Sequence, residues 1–107
     1  MLKTDISIEQ IVKELVNFLS RYIKIERIIL YGSYAYGIAR GDSDFDIAVI
    51  SEDFERMSIL ERIELFSKAI IGIDSRIEAK GFSKKEFLKP QESSFLAMIK
   101  NKGKIVY

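Results

Sequence analysis

Apolar residues recur at helical spacing near the start of the chain. The capping-box sequence Ser7-Ile8-Glu9-Gln10 stands where such a helix would begin. We expect the helix to run to about Arg21 and to cover a sheet with its apolar face. That face comprises Ile8, Ile11, Val12, Leu15, Val16 and Leu19.

Short apolar runs rich in strand-forming residues predict strands over residues 27–31 and 45–50. The second run is apolar on both faces after Asp46, which favours a central, buried strand. A third strand is expected from about Ile73 to Lys80. The last four residues, 104–107, could form a closing edge strand.

Three further helical segments complete the pattern. A second capping box, Ser58-Ile59-Leu60-Glu61, begins a helix that we expect to stop near Gly72. A short helical turn begins at Ser83 and ends at Pro90, and a last helix extends to Gly103. The apolar residues assigned to the second and last helices are Leu60, Ile63, Phe66, Ile70, Phe95, Leu96, Met98 and Ile99. This order predicts an α/β fold, a small mixed β-sheet flanked by helices, as a single domain over residues 1–107.

Composition narrows the possible chemistry. The chain has 107 residues, of which 48% are hydrophobic and 31% charged, as in a soluble globular domain. Cysteine and histidine are absent, which excludes a disulfide framework, thiolate catalysis, Ser-His catalysis and a histidine-ligated zinc site. No apolar stretch approaches the roughly 18 residues of a membrane span, and a signal peptide is not evident. We therefore expect a cytoplasmic protein without a membrane partner.

The net charge of +1 conceals a basic C-terminal part, with seven lysines from Lys80 onward against Glu86 and Glu92. Such a surface could attract a triphosphate or an acidic partner, although a solvated lysine-rich surface is the simpler interpretation. Arginine-rich or aromatic-interleaved patches are absent, so direct binding of nucleic acid is not expected.

The candidate chemistry lies between Leu30 and Ile50, where the sequence is LYGSYAYGIARGDSDFDIAVI. Asp44 and Asp46 are two residues apart at the head of a strand, so their carboxylates point to one face of the sheet. Two like charges in one small site favour a hard cation between them, and Mg²⁺ accepts carboxylates while keeping positions for water and phosphates. The alternative for an isolated Asp-x-Asp is a solvated strand end.

Gly32 and Ser33 follow the first strand directly. Glycine permits a sharp turn and a close approach of phosphate to the main chain. Ser33 can cap a following helix, so that amides and hydroxyl form an anion site. A Walker A loop is excluded because Ile38 stands at its lysine position, and no Gly-x-Gly-x-x-Gly occurs. A nucleoside triphosphate site beside the carboxylates is the resulting hypothesis.

Residues 31–49 resemble the signature of the polymerase-beta-like nucleotidyltransferases, specifically the minimal nucleotidyltransferase (MNT) domains. The shared features are Gly-Ser, an Ala-x-Gly turn at Ala35-Tyr36-Gly37, and Ser-Asp-x-Asp before an apolar strand. Residues 77–87 are similar to the family's third-carboxylate strand and the short helix after it. The resemblance covers nearly the whole chain and implies the polymerase-beta-like nucleotidyltransferase fold.

The resemblance also implies a third carboxylate, for which Asp74 and Glu78 are candidates. The distance from Glu78 to the segment that begins at Ser83 favours Glu78. Two positions depart from the family pattern: a glutamate replaces the more common aspartate, and Tyr36 stands where many relatives have a basic residue. Arg40 could substitute for that basic residue.

The activity implied by the resemblance is transfer of a nucleoside monophosphate, AMP from ATP in the first instance, to a hydroxyl. Asp44 and Asp46 would hold two Mg²⁺ ions, and Glu78 would ligate the second ion or take the proton of the acceptor. The implied nucleotide-binding residues are Gly32, Ser33, Arg40 and Ser43.

The acceptor is implied to be another protein. MNT proteins of this size are often encoded with a HEPN-domain toxin, which characterised members neutralise by attaching AMP to a tyrosine. The resemblance therefore implies an antitoxin that adenylylates a HEPN-domain partner. The alternative is a non-catalytic module that binds nucleotide or masks the toxin by binding alone, which the departures at Tyr36 and Glu78 support.

Overall fold

The computed structural model describes residues 8–32, 45–74, 76–89 and 94–107. Within these residues four α-helices and a 3-10 helix flank a four-stranded mixed sheet, so the predicted α/β class is confirmed. In chain order the elements are α1 Ile8–Leu19, β1 Arg27–Tyr31, β2 Phe45–Ile50, the 3-10 helix Glu52–Arg56, α2 Ile59–Ile73, β3 Ile77–Phe82, α3 Lys84–Leu88, α4 Phe95–Lys102 and β4 Lys104–Ile105.

The strand order in the sheet is β3-β2-β1-β4. Strand β2 pairs antiparallel with β1 and parallel with β3, and β4 pairs antiparallel with β1. The predicted central position of the second strand is confirmed, as are both predicted strand ranges. The predicted closing strand is shorter than residues 104–107, because only Lys104–Ile105 pair as a strand.

Alternate residues of β2 supply two different hydrophobic layers. Phe45, Ile47 and Val49 pack into the core beneath α1 and α2. Ala48 and Ile50 face the opposite layer, which includes residues of β1, α3 and α4. This alternation follows from the two-residue period of a strand. It places Asp46 on the layer of Ala48, away from α1 and α2.

Three predicted boundaries of helix α1 and strand β3 are wrong, including the end of β3, which is Phe82 rather than Lys80. Strand β3 begins at Ile77 rather than near Ile73, because α2 continues through Gly72 to Ile73 and Asp74 is its C-cap. Helix α1 ends at Leu19 rather than Arg21, where the Leu19 carbonyl accepts hydrogen bonds from the main-chain N–H groups of Tyr22 and Ile23.

The predicted capping box of α2 is confirmed by reciprocal hydrogen bonds between Ser58 and Glu61. The predicted apolar face is only partly correct, since Leu60 and Ile63 are exposed. The buried residues of α2 are Leu65, Phe66 and Ala69. Among the described residues, no helix is both long enough and apolar enough to cross a membrane.

The two C-terminal helices also match their predictions. A capping box between Ser83 and Glu86 begins α3, and Gly103 is the C-cap of α4. Ser7 and Pro90, predicted to bound α1 and the short helical turn, lie outside the described residues.

Candidate active site

Asp46 lies in register with one residue on each neighbouring strand. Its partner on the antiparallel strand β1 is Tyr31, and its partner on the parallel strand β3 is Glu78. Residues in register on adjacent strands of a sheet present their side chains to the same face. The carboxylates of Asp46 and Glu78 therefore share one face, as expected for a second and third carboxylate.

Gly32 brings the main chain directly against Asp46. Its φ angle is +72°, in the left-handed region that glycine adopts without strain. An ideal Cβ on Gly32 would overlap the Asp46 Oδ2 and lie 3.0 Å from its Cγ. The positive φ angle and the contact with Asp46 are therefore two separate reasons for glycine at this position.

Tyr31 forms the floor of the site beside Asp46. The residue is 4% exposed, and its ring contacts Phe95 of α4 edge-on, with the ring centroids 5.4 Å apart. Burial raises the pKa of the Tyr31 phenol well above its usual range, and the negative charges of Asp46 and Glu78 raise it further. Burial and both carboxylates therefore favour the neutral, protonated phenol.

Lys80 is a site residue that sequence reasoning missed. Its ammonium Nζ is 3.8 Å from Oε1 of Glu78 and 6.0 Å from the ring centroid of Phe95. Because Lys80 and Glu78 are two residues apart on β3, both side chains lie on the same face. That two-residue period would have identified Lys80, which composition had assigned to a solvated basic surface.

Asp74, the other candidate for the third carboxylate, occupies a different structural position. Its Oδ1 accepts a hydrogen bond of 2.8 Å from the main-chain N–H of Arg76, and the Arg76 guanidinium binds both carboxylate oxygens. That guanidinium also lies 4.7 Å from the ring centroid of Phe45. These contacts stabilise the connection from α2 to β3.

Four predicted site residues, Ser33, Arg40, Ser43 and Asp44, lie outside the described residues, as does Tyr36. The other three, Gly32, Asp46 and Glu78, are brought together.

The donor atoms of the described site suit a hard divalent cation. Carboxylate oxygens from Asp46 and Glu78 face one side of the sheet, and such oxygens are the protein ligands that Mg²⁺ prefers. Within the described ranges no group of three acidic, cysteine or histidine residues is close enough to form a complete metal site. Asp44, the remaining member of the predicted ligand set, is not part of those ranges.

Residues 13–107 match the family model described as Polymerase beta, Nucleotidyltransferase. The chain belongs to this nucleotidyltransferase family. It is also 34% identical over 102 residues to a protein of Methanocaldococcus jannaschii whose provisional name is protein adenylyltransferase MJ0604. That alignment covers 92% of this chain and 97% of the relative. This nucleotidyltransferase thus aligns with nearly the full length of that relative, whose name describes transfer of an adenylyl group to a protein.

Solved structures support the fold of the nucleotidyltransferase. A chain of a toxin-antitoxin complex with AMP-PNP matches with a TM-score of 0.63 at 24% identity, covering 94% of this chain and 73% of that chain. A chain from the complex of tri-AMPylated Shewanella oneidensis HEPN toxin with MNT antitoxin matches with a TM-score of 0.58 at 23% identity, covering 94% and 72%. The predicted polymerase-beta-like fold is confirmed.

Proposed function

We propose that this nucleotidyltransferase transfers AMP from ATP to a hydroxyl of a partner protein, in a reaction that requires Mg²⁺, and that the partner is a HEPN-domain toxin. The observation that carries the proposal is the in-register pair of Asp46 and Glu78 beside the turn at Gly32. A relative named as a protein adenylyltransferase supports the reaction type.

Each described site residue has a role in this reaction. Gly32 leaves the main chain open to the phosphates because it carries no side chain. Asp46 and Glu78, with Asp44, would hold the cation. When bound, Mg²⁺ would neutralise triphosphate charge and lower the pKa of the acceptor hydroxyl. The protonated Tyr31 phenol adds no further negative charge beside these carboxylates.

The bond changes follow from the reaction class. The acceptor oxygen forms a bond to the α-phosphorus of ATP, and the bond from that phosphorus to pyrophosphate breaks. In this proposal Glu78 ligates the metal or takes the acceptor proton, and the face that its carboxylate shares with Asp46 supports either role. Lys80 supplies a positive charge beside Glu78.

The partner assignment rests on matched complexes. One of them contains a HEPN toxin that carries three AMP groups together with an MNT antitoxin, and the fold match extends over 94% of the present chain. Addition of AMP to the toxin is the antitoxin mechanism that we propose for this chain.

The partner assay tests this proposal. The chain is incubated with the product of the adjacent reading frame, ATP and Mg²⁺, and the intact mass of that product is measured. We expect a gain of one adenylate or more. Asp46→Asn and Glu78→Gln should each lower the rate by about 100-fold or more, whereas Glu64→Gln, a change of an exposed glutamate on α2, should leave it unchanged.

A second candidate function is inhibition by binding alone. It is favoured by the ion pair of Glu78 with Lys80, since the ammonium group already offsets the charge of this carboxylate, and by the 53% exposure of the Glu78 side chain. Neutralised toxin activity without any mass gain, equal for wild type and Asp46→Asn, would support this candidate and contradict adenylyl transfer.

A further inference from the structure

Strand β3 is an edge strand of the sheet that the described residues form. It is the last strand in the order β3-β2-β1-β4, and no described strand lies beyond it. The Arg76 and Phe82 carbonyls accept hydrogen bonds from Phe45 and Ser51, so the main-chain groups of the even-numbered residues face β2. Those of the odd-numbered residues, including the N–H and C=O of Ala79, therefore point outward.

Two outward groups of β3 are already bonded within the chain. The Gly81 carbonyl accepts a hydrogen bond of 3.0 Å from Arg62, and the Ile77 N–H donates to the Asp74 carbonyl. Within the part of the chain that the structure describes, both groups of Ala79, the Gly81 N–H and the Ile77 carbonyl are left to bond across the edge.

An apolar groove of about 590 Å³ lies beside this edge. The apolar residues that line it include Ile59, Ile63 and Phe66 of α2 and Ala79 and Phe82 of β3. Ile59 is 73% exposed and Ile63 is 54% exposed. Large apolar side chains exposed together along an open strand edge are typical of an interaction surface.

We propose that two copies of this chain pair antiparallel through their β3 edges, around a two-fold axis at Ala79. A two-fold interface must be self-complementary, and the β3 edge can pair with the same edge of a second copy. Ala79 of each copy faces the same residue of the other, so their N–H and C=O groups exchange two hydrogen bonds. The Gly81 N–H then faces the Ile77 carbonyl of the partner subunit, and the two groups bonded internally face each other.

The same register makes the charges complementary. Glu78 lies opposite Lys80 of the partner subunit, and the pair is repeated by the two-fold axis. Opposite charges directly across an antiparallel pair are stabilising, and like charges are destabilising. Because Glu78 and Lys80 lie on the face of Asp46, the second copy contributes an ammonium group to each site.

The groove identifies the second contact of this dimer. A two-fold axis perpendicular to the sheet keeps the α2 helices of both copies on the same face, one beside the other. Ile59 and Ile63 flank Arg62, which binds Gly81, so in the dimer they lie on the Gly81 side of the axis and face the C-terminal half of the partner subunit's α2. The pairing thus buries the apolar side chains that a single chain leaves exposed.

Analytical ultracentrifugation of the purified chain over a range of concentrations tests the proposal. Wild type should sediment as a dimer in equilibrium with monomer. Lys80→Glu creates two Glu-Glu pairs and Glu78→Lys creates two Lys-Lys pairs, so each should raise the dimer Kd by about tenfold. The double variant E78K/K80E restores both opposite-charge pairs and should return the Kd close to that of wild type.

Ala79→Pro provides an independent test, because it removes an N–H that points away from β2 and is compatible with an edge strand. It should give a monomer, while its thermal unfolding midpoint shows whether the fold is retained. Monomeric wild type at every concentration would overturn the proposal, as would a dimer that Lys80→Glu leaves unchanged. Failure of E78K/K80E to recover the dimer lost in the single variants would overturn the Ala79-centred register.

Discussion

At the residue scale, Gly32 and Asp46 depend on each other. The carboxylate of Asp46 occupies the space that a side chain at Gly32 would need, and the positive φ angle there disfavours any other residue. In the proposed reaction, this placement of a carboxylate against bare main chain would let phosphate groups approach the acidic site closely.

Gly32→Ala should therefore lower the free energy of unfolding by about 2 kcal/mol. Alanine would strain the left-handed backbone at this position, and its Cβ would displace the Asp46 side chain. Gly72→Ala is the matched control. Gly72 lies within α2 with no neighbour within 4 Å of its added Cβ, so alanine should raise stability by about 0.5–1 kcal/mol. Urea denaturation measures both. Equal effects of the two substitutions would contradict the assignment.

Because of Tyr31, the free energy of unfolding should fall as the pH becomes alkaline. Its folded-state pKa is raised, so the stabilising contribution is fully present below the unfolded value of about 10 and declines as pH rises above it. Urea denaturation between pH 8 and about pH 11 should show a smaller decline for Tyr31→Phe than for wild type. Tyr22→Phe, a change of an exposed tyrosine, should retain the wild-type decline.

At the level of single helices and strands, sequence motifs predicted correctly those boundaries that hydrogen bonds between nearby residues determine. The capping boxes at Ser58 and Ser83 fix where α2 and α3 begin, since both the hydroxyl and the glutamate bond within four residues. The beginning of β3 was mispredicted because Ile73 suits a strand, while in the fold it extends α2 and Asp74 binds Arg76. The exposure of Ile63 depends on how α2 packs, which helical spacing alone does not specify.

Glu86 in the α3 capping box should make stability acid-sensitive. Partial burial raises its pKa, but hydrogen bonds from Ser83 and the Arg62 guanidinium outweigh that effect and hold the pKa below its usual range. Its contribution is therefore present above the unfolded value of about 4.3 and is lost as pH falls through the folded pKa. Glu86→Gln should lose less stability than wild type when pH is lowered from 6 to 3.

The control for Glu86→Gln is Glu64→Gln, at an exposed position on α2. Chemical denaturation at each pH gives the free energies. If Glu86→Gln and Glu64→Gln followed the same pH profile as wild type, the capping interaction would contribute nothing to acid sensitivity.

At the scale of the whole molecule, the sheet order creates the site. The two-residue period of a strand predicted the face of the sheet on which Asp46 lies, and the family resemblance pointed to Glu78. The proximity of these two residues, however, depends on the parallel pairing of β2 and β3 with Asp46 opposite Glu78. The same pairing brings Lys80 to the site and leaves β3 at the edge of the sheet among the described strands. These features arise from contacts between distant segments, which local patterns in the chain do not determine.

In the proposed function, these carboxylates serve the transfer of a nucleotidyl group to a protein. The most direct measurement incubates the chain and the adjacent gene product with Mg²⁺ and ATP radiolabelled at either the α- or the γ-phosphorus. We expect that the α label becomes bound to the partner, that the γ label leaves with pyrophosphate, and that Asp46→Asn abolishes labelling. Labelling of the partner from the γ position, or equal α labelling by wild type and Asp46→Asn, would contradict it.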